Sequence, residues 1–198
     1  ATPNENMGVG EYEVASPTTS VSVYEGEHSD FVTCIDHSPD GAWLVTGALD
    51  GLTAVWNRSL GELAYSWQSD DSVEDCMFSP DGQSVIWTTG SLIQIRNMPD
   101  GTYRDTIVSD GTPSQMEWDT FGNLWILTET AFPTIERYDS QSLEIIDITP
   151  IAHTVNEFAI HPDGGEFVTT TGTKDFSFFR EVPWNPYFGL EGEDSDYD

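Results

Sequence analysis

Short apolar runs separated by polar turns follow one another along the chain, and no stretch has the apolar spacing of a long helix. In the first group, the runs Phe31 to Ile35, Trp43 to Thr46 and Leu52 to Trp56 are nearly continuous in apolar character. In the fourth run, Leu63 to Trp67, apolar residues alternate with Ala and Ser. Alternation is typical of a strand with one solvated face, and continuous runs of strands buried on both faces. The pattern predicts a unit of four strands whose last strand is outermost.

The same order of strands recurs in the rest of the chain. The predicted strands are Val73 to Phe78, Ser84 to Thr88, Leu92 to Arg96 and Tyr103 to Val108 in the second unit, Gln115 to Trp118, Leu124 to Thr128, Thr134 to Tyr138 and Leu143 to Ile148 in the third, and Val155 to Ile160, Phe167 to Thr170 and Phe176 to Phe179 in the fourth. The fourth unit lacks an outer strand. Near the N-terminus, Val21 and Val23 alternate with polar residues, which predicts a strand able to complete it.

One turn phrase recurs in all four units. It reads SPDG at 38–41, SPDG at 79–82, DTFG at 119–122 and HPDG at 161–164. Proline presets φ, aspartate bonds its own backbone and glycine takes the positive φ that closes a hairpin. The closing glycines are 41, 40 and 42 residues apart, the period of a propeller blade. The sequence predicts an all-β fold, a small β-propeller of four four-stranded blades whose last blade is closed by the N-terminal strand.

The predicted propeller spans residues 20–182, with units at about 26–67, 68–108, 109–149 and 150–182 plus 20–25. An arm precedes it at 1–19, and an aromatic, then acidic tail follows at 183–198. In this tail Trp184, Tyr187 and Phe188 are candidates for docking on a partner. The alternative is that they pack on the propeller's own outer face.

Residues 24–57, YEGEHSDFVTCIDHSPDGAWLVTGALDGLTAVWN, resemble the WD-repeat family of propellers. The resemblance implies that His28, Thr46, Asp50 and Trp56 form a buried hydrogen-bonded chain, which is structural rather than catalytic. It also leaves the number of blades open, because propellers of this family mostly have seven blades and this sequence has four repeats. A closed ring of four, a dimer of open half-rings and a fragment of a longer propeller remain alternatives, and the N-terminal strand favours the closed ring.

Polar residues recur on the inner strands when positions are counted back from each turn glycine. The residues six positions before each turn glycine are apolar and are expected to pack between blades: Ile35, Cys76, Met116 and Phe158. Seven and five residues before it lie the candidate channel ligands Asp75, Gln115 and Glu157 at one level and Asp36 and Glu117 at another. Oxygen ligands of this kind could hold calcium or another hard cation in the channel, the only cofactor that the sequence suggests. A water-filled channel is the alternative.

Cys34 and Cys76 lie in opposite phases of adjacent inner strands, and opposite faces of neighbouring blades are the ones that meet. A disulfide or a close thiol pair is one interpretation. We expect two buried free cysteines instead, because cysteine is often a small core residue.

The most informative feature of the composition is its charge. There are 35 Asp and Glu against 6 Lys and Arg, a formal net charge of -29, while 12% of residues are aromatic. The aromatic content indicates a folded chain with an acidic surface. Such a charge disfavours nucleic acid and anionic membranes as partners. It is typical of adaptation to high salt, which screens self-repulsion; an acidic secreted or virion protein is the alternative.

No apolar run is long enough to span a membrane. The start at Ala1 fits either a removed signal peptide or a removed initiator Met, so halophile cytoplasm, cell surface and virion all stay open as locations. The favoured function is a non-catalytic protein-interaction or structural scaffold module that could be a subunit of a larger assembly. One alternative is a virion structural or surface protein of a halophilic virus. The other is a hydrolase with a metal-assisted carboxylate site at the channel.

Overall fold

The computed structural model describes residues 9–13, 16–24, 26–161, 164–170 and 176–180. Every regular element in these ranges is a β-strand, so the prediction of an all-β fold is confirmed. Within them, no helix has the length and apolar character needed to span a membrane.

The strands form four antiparallel meanders, which we call blades 1 to 4, and one N-terminal hairpin. The hairpin consists of β1 (Val9–Glu13) and β2 (Ser16–Tyr24). Blade 1 consists of β3 (Val32–His37), β4 (Trp43–Ala48), β5 (Leu52–Asn57) and β6 (Glu62–Gln68). Blade 2 consists of β7 (Val73–Phe78), β8 (Ser84–Thr89), β9 (Leu92–Asn97) and β10 (Tyr103–Val108). Blade 3 consists of β11 (Thr112–Trp118), β12 (Asn123–Glu129), β13 (Thr134–Asp139) and β14 (Ile145–Pro150). Blade 4 consists of β15 (Glu157–Ile160), β16 (Glu166–Thr170) and β17 (Phe176–Arg180).

The recurring turns join the first two strands of each blade, as predicted. Gly41 and Gly82 both have φ of 69°, a conformation that favours glycine. In the first turn, Asp40 accepts hydrogen bonds from the Ala42 N–H at 2.9 Å and the Ser38 hydroxyl at 2.6 Å. The second turn repeats both bonds with Asp81 as acceptor. These bonds hold the pKa of each aspartate below its usual value, so both turns are built around an ionised carboxylate.

The core is divided into layers that lie between neighbouring blades, which we call seams 1 to 3. The buried residues that form them are Cys34, Val45, Val55, Val73, Cys76, Phe78, Val85, Trp87 and Met98 in seam 1, Ile86, Ile93, Ile95, Ile107, Met116, Leu124, Ile126 and Tyr138 in seam 2, and Trp125, Leu127, Ile135, Ile151, Val155, Phe158 and Phe167 in seam 3. The middle strands β8 and β12 contribute to this core from both faces, because blades flank them on both sides. In blade 1, β4 and β5 contribute to seam 1 from one face, and on the other face Leu44, Ala54 and Trp56 form a fourth cluster with Tyr24.

The N-terminal strand differs from its predicted role. It was expected to complete blade 4 from residues 20–25, but β2 pairs with β1, and among the described strands β17 pairs only with β16. Residues 9–13 and 16–19, predicted as part of an arm, are strand. Pairing with a strand two residues away closes a far shorter loop than pairing with β17, so it costs less chain entropy.

The two cysteines form a disulfide, so the expectation of two free thiols is wrong. Cys34 on β3 and Cys76 on β7 face each other across seam 1 with their Cα atoms 5.6 Å apart. The opposite phases of the two residues along their strands place both side chains in the same seam.

Candidate functional site

The structure places the four polar residues of blade 1 that were predicted to form a chain next to one another, and hydrogen bonds join three of them. The Trp56 indole N–H donates to the Thr46 hydroxyl at 3.0 Å, and the His28 Nε2 lies 2.7 Å from the same hydroxyl. On the other side of the ring, the His28 Nδ1 lies 3.7 Å from an Asp50 carboxylate oxygen. The four residues therefore link the entry loop, β4, the β4–β5 turn and β5 of one blade.

The electrostatics of these four residues favour a fixed arrangement. Burial lowers the pKa of His28, so the ring is neutral near pH 7. Burial alone would raise the pKa of Asp50, but hydrogen bonds from the N–H groups of Ser29 and Leu52 lower it overall. The His28 Nε2 is hydrogen-bonded to the Thr46 hydroxyl, whereas Nδ1 lies 3.7 Å from Asp50, beyond hydrogen-bond length. The contacts among His28, Thr46 and Trp56 stabilise the blade.

Blade 4 repeats part of this arrangement. The His153 Nε2 lies 3.2 Å from the Thr169 hydroxyl, and the His153 ring lies beside Phe179, with centroids 6.3 Å apart. Phe179 occupies the place of Trp56 but carries no donor. Its Asp, at position 175, lies outside the described residues.

Two of the polar residues seven positions before the turn glycines, Asp75 and Gln115, lie in the seams. An Asp75 carboxylate oxygen accepts a hydrogen bond from the Met116 N–H in the next blade at 2.6 Å. The Gln115 side chain bonds both backbone groups of Phe158 in blade 4, donating to its carbonyl at 2.9 Å and accepting from its N–H at 2.9 Å. Each of these side chains satisfies backbone groups on the inner strand of the following blade.

Two of the residues five positions before the glycines, Asp36 and Glu117, do the same at a second level. Asp36 accepts from the Phe78 N–H at 2.8 Å, and Glu117 accepts from the Ile160 N–H at 3.2 Å. Each inner strand is the edge of its sheet, so its outward N–H groups have no strand to bond. Side chains from the preceding blade take that place.

These contacts separate the five candidate channel ligands. Asp36 crosses seam 1, Asp75 crosses seam 2, Gln115 and Glu117 cross seam 3, and Glu157 is exposed on blade 4. Over the residues that the structure describes, no three His, Cys, Asp or Glu side chains are grouped as metal ligands. The sequence showed that these positions are polar but not that each side chain points at a neighbouring backbone.

Two of these carboxyls titrate unusually. Burial raises the pKa of Asp75 to about 6; hydrogen bonds from the Met116 and Cys76 N–H groups oppose the increase, and the nearby Asp36 adds to it. Burial also raises the pKa of Glu117. The shift of Asp75 is a consequence of its place in the seam, where its carboxylate has backbone donors but no cation.

An aromatic stack crosses the outer part of seam 1. Trp67 stacks on Trp87 with centroids 5.1 Å apart, and Tyr65 stacks on Trp67 at 5.9 Å. The Arg96 guanidinium lies 5.3 Å from the Trp87 ring centre and 5.0 Å from that of Tyr103. A cleft of about 270 Å³ opens beside Trp67 and Trp87, below the usual volume of a site for a drug-sized ligand. The alternating Leu63, Tyr65 and Trp67 were the sequence signal for this packing.

The outer strand of blade 3 is apolar and exposed. Ile145, Ile146 and Ile148 on β14 are each about half exposed. On β6 of blade 1, by contrast, Leu63, Tyr65 and Trp67 are partly buried. We call the three isoleucines the β14 strip. The predicted docking residues Trp184, Tyr187 and Phe188 lie outside the described residues.

The repeated meanders and the contacts among His28, Thr46 and Trp56 are similar to those of a β-propeller with WD-type blades. Residues 18–57 match the WD40 family, described as "WD domain, G-beta repeat". This segment runs from β2 to the end of β5, about a fifth of the chain, and its similarity to the family agrees with the resemblance of its sequence.

Curated relatives are similar over part of the chain. Eukaryotic translation initiation factor 3 subunit I of Phaeosphaeria nodorum is 32% identical over 69 residues, 35% of this chain and 20% of that protein. Ribosome biogenesis protein ERB1 of Debaryomyces hansenii is 28% identical over 116 residues, 54% of this chain and 14% of that protein. Small ribosomal subunit protein RACK1 of Neurospora crassa is 29% identical over 68 residues, 34% of this chain and 22% of that protein. The chain thus spans about a fifth of the length of these relatives or less.

Solved structures share the fold at low identity. A chain of the mitotic checkpoint complex superposes with a TM-score of 0.77 at 18% identity, over 88% of this chain and 56% of that one. A chain of Kuenenia stuttgartiensis hydrazine synthase superposes with a TM-score of 0.74 at 15% identity, over 82% of this chain and 49% of that one. The four blades therefore follow the course of about half of each of these larger chains.

Proposed function

We propose that the chain is a non-catalytic scaffold that binds other proteins through the β14 strip and is adapted to high salt. The observation that carries the proposal is the strip itself, three exposed isoleucines on one outer strand. Contiguous apolar surface of this kind is typical of protein contact sites. A strand at the edge of its sheet also offers backbone groups to which a partner strand can bond.

The polar groups of the molecule support a structural role. The His28 chain holds blade 1 together, and the inner-strand carboxylates bond neighbouring backbone. A hydrolase needs paired acids that converge on an open pocket, and these acids lie in different seams. The names of the relatives, a subunit of a translation initiation factor and a small ribosomal subunit protein, support binding to proteins in an assembly.

The net charge of the chain limits the kinds of partner that it can bind. With a net charge of -29, the surface repels nucleic acid and anionic membranes, and protein partners carrying basic or apolar patches fit it best. Molar salt shortens the Debye length to about 3 Å and weakens the self-repulsion of the folded chain.

The strip is tested with a photo-crosslinking residue at position 148, exposed to a soluble extract of the source organism in molar KCl. We expect discrete crosslinked proteins that disappear when Ile145→Asp and Ile146→Asp are added. The matched control is Val108→Asp, an exposed apolar residue on the outer strand of blade 2. Crosslinks that survive the β14 changes, or disappear equally in the control, would contradict the proposal.

The salt adaptation is tested by denaturant unfolding in KCl from about 0.1 M to about 3 M. We expect the free energy of unfolding to rise steeply with KCl and to rise much less with an uncharged osmolyte of equal osmolarity. An equal response to both solutes would contradict screening as the cause.

A further inference from the structure

The β5–β6 turn of blade 1 and the β13–β14 turn of blade 3 are built around the same kind of acceptor. Asn57 ends β5, and its side-chain oxygen accepts hydrogen bonds from the Ser59 N–H at 3.1 Å, the Ser59 hydroxyl at 2.8 Å and the Leu60 N–H at 3.2 Å. Asp139 ends β13, and one of its oxygens accepts the corresponding bonds from two N–H groups and a hydroxyl at 2.8 to 3.0 Å. Each turn therefore requires an oxygen acceptor, and a carboxylate is sufficient.

The side-chain nitrogen of Asn57 is the part that the turn does not use. Over the residues that the structure describes, the Asn57 Nδ2 has no hydrogen-bond partner. The carboxamide directs its oxygen toward the turn, so its nitrogen faces away from the turn. In a chain with 35 Asp and Glu, Asp139 shows that the fold accepts an aspartate here. The nitrogen is therefore available for a role outside the fold.

This nitrogen belongs to a triplet of known chemistry. Asn57, Arg58 and Ser59 read Asn-X-Ser with an X other than proline, the acceptor pattern for asparagine-linked sugars, and the sequence contains one such triplet. The pattern requires a hydroxyl two residues after the asparagine. In the folded turn the Ser59 hydroxyl contacts the Asn57 carboxamide.

The turn is exposed and firmly held. Ser59 is exposed, and Leu60 beside it is 66% exposed. The Arg58 N–H donates to the Ala42 carbonyl at 3.0 Å, and the Arg58 guanidinium donates to the Gly41 carbonyl at 2.6 Å. These bonds fix the turn to the first turn of the same blade. A bulky group on the free nitrogen would extend into solvent without breaking them.

The disulfide indicates the compartment in which the chain folds. Cys34 and Cys76 are the two cysteines of the sequence, and they are joined across seam 1. Structural disulfides form in oxidising compartments and are rare in the reducing cytosol. Exported proteins are also those in which the Asn-X-Ser triplet is modified. The disulfide and the triplet share no residue, so they are independent indications of export.

We propose that Asn57 carries an asparagine-linked sugar chain that is added as the protein is exported. The donor is an oligosaccharide carried on a lipid phosphate. The Asn57 Nδ2 forms a bond to the anomeric carbon of the sugar while the bond from that carbon to the phosphate oxygen breaks. The nitrogen gives up one of its two protons, the lipid phosphate leaves, and nothing is oxidised or reduced.

This modification goes beyond the binding role of the β14 strip. The modified turn belongs to blade 1, and the strip lies on the outer strand of blade 3. A sugar chain beside Leu60 would shield an exposed leucine and make this face of blade 1 more soluble. The sugar can be present without partners on the strip, and partners can bind without the sugar, so the two proposals fail separately.

The first test is peptide mapping of the protein isolated from its source organism. A protease that does not cut after Arg58 keeps the triplet in one peptide, and we expect that peptide to carry the additional mass of a sugar chain. Fragmentation should assign the sugar to the nitrogen of Asn57. An unmodified peptide, or a sugar on the Ser59 hydroxyl, would overturn the proposal.

The same sample tests the compartment. Mapping without reductant should recover Cys34 and Cys76 in one joined pair of peptides. Two free thiols in the isolated protein would contradict the export on which the proposal depends.

Variants separate the triplet from the fold. The full chain is secreted from a eukaryotic host that attaches asparagine-linked sugars, and intact masses are compared with the 22.0 kDa of the bare chain. Asn57→Asp keeps the acceptor that Asp139 provides in blade 3, so it should lose the sugar and unfold at an unchanged denaturant midpoint. Ser59→Thr keeps the hydroxyl and should stay modified, whereas Ser59→Ala should lose the sugar.

Asn156→Asp is the matched control, because Asn156 is exposed and lies outside any such triplet. It should be modified as fully as the wild type. A sugar that survives Asn57→Asp, or that is lost equally in Asn156→Asp, would overturn the proposal. A wild-type chain that is secreted with its disulfide formed but with the mass of the bare chain would do the same.

Discussion

Seams 1 and 3 make the same connection with different chemistry. In seam 1 a covalent bond joins Cys34 to Cys76, and in seam 3 the Gln115 amide holds both backbone groups of Phe158. Seam 2 uses the Asp75 carboxylate on the Met116 N–H. The position requires a link across the seam and tolerates any side chain that can make one. The link in seam 1 depends on redox conditions, the link in seam 2 depends on pH, and the link in seam 3 depends on neither.

The largest expected effect is at seam 1. Removing the disulfide in Cys34→Ser/Cys76→Ser should lower the free energy of unfolding by about 2–4 kcal/mol, because the unfolded chain regains the freedom of a long loop. Denaturant unfolding with and without a thiol reductant measures it. The reductant should destabilise the wild type and leave the variant unchanged; equal sensitivity of both would contradict the disulfide.

At seam 3, Gln115→Ala should cost about 1–3 kcal/mol, because it leaves two buried backbone groups of Phe158 without partners. Gln115→Glu keeps the acceptor for the N–H but sets a carboxylate against the Phe158 carbonyl, so we expect little recovery. Gln141→Ala, at an exposed site, is the control. Unfolding free energies of the three variants are compared at pH 7, and a Gln115→Ala loss no greater than the control would count against the link.

At seam 2, stability should depend on pH through Asp75. The folded pKa of about 6 lies above the unfolded value of roughly 3.9, so the folded state favours the protonated form. The contribution of this group is fully present below about pH 4 and is lost as the pH rises through about 6. Asp75→Asn should therefore gain stability relative to the wild type over that range, by about 1–3 kcal/mol.

The measurement for Asp75 is the difference in unfolding free energy between variant and wild type from pH 4 to pH 8. Asp105→Asn, at an exposed site, provides the baseline. A difference that does not change with pH would show that burial of Asp75 in the seam is not coupled to its ionisation.

The smallest effect should come from the second level of seam 3. Glu117 is only partly buried, and it accepts from the Ile160 N–H at 3.2 Å. Glu117→Gln keeps an acceptor, so it should change the free energy of unfolding by less than about 1 kcal/mol, and Glu117→Ala should cost slightly more. If Glu117→Gln lowered the free energy of unfolding as much as Gln115→Ala, Gln115 would not be the main link across seam 3.

The blades could be predicted from the sequence because their signals are local. Asp40 and Gly41 fix a turn within four residues, and the same chemistry returns at Asp81 and Gly82. The His28 chain could be placed from the family resemblance of one repeat. These features depend on contacts inside a single blade.

The seams could not be read in the same way, since they depend on how blades turn toward each other. Asp75, Gln115 and Glu157 were assigned to a channel because polar residues were expected to face water. Residues in opposite phases meet across each seam, Cys34 with Cys76 and Asp75 with Met116 alike. The cysteine pair is visible in the side-chain pattern, whereas the Met116 partner is a backbone N–H, which the pattern of side chains does not show.

Amide hydrogen exchange on the intact chain would decide whether side chains of one blade satisfy the inner strand of the next. We expect slow exchange at the N–H groups of Met116 and Phe158, and loss of protection at Phe158, but not at Met116, in Gln115→Ala. Protection at Phe158 that survives this substitution, or that is lost equally at both amides, would contradict the account.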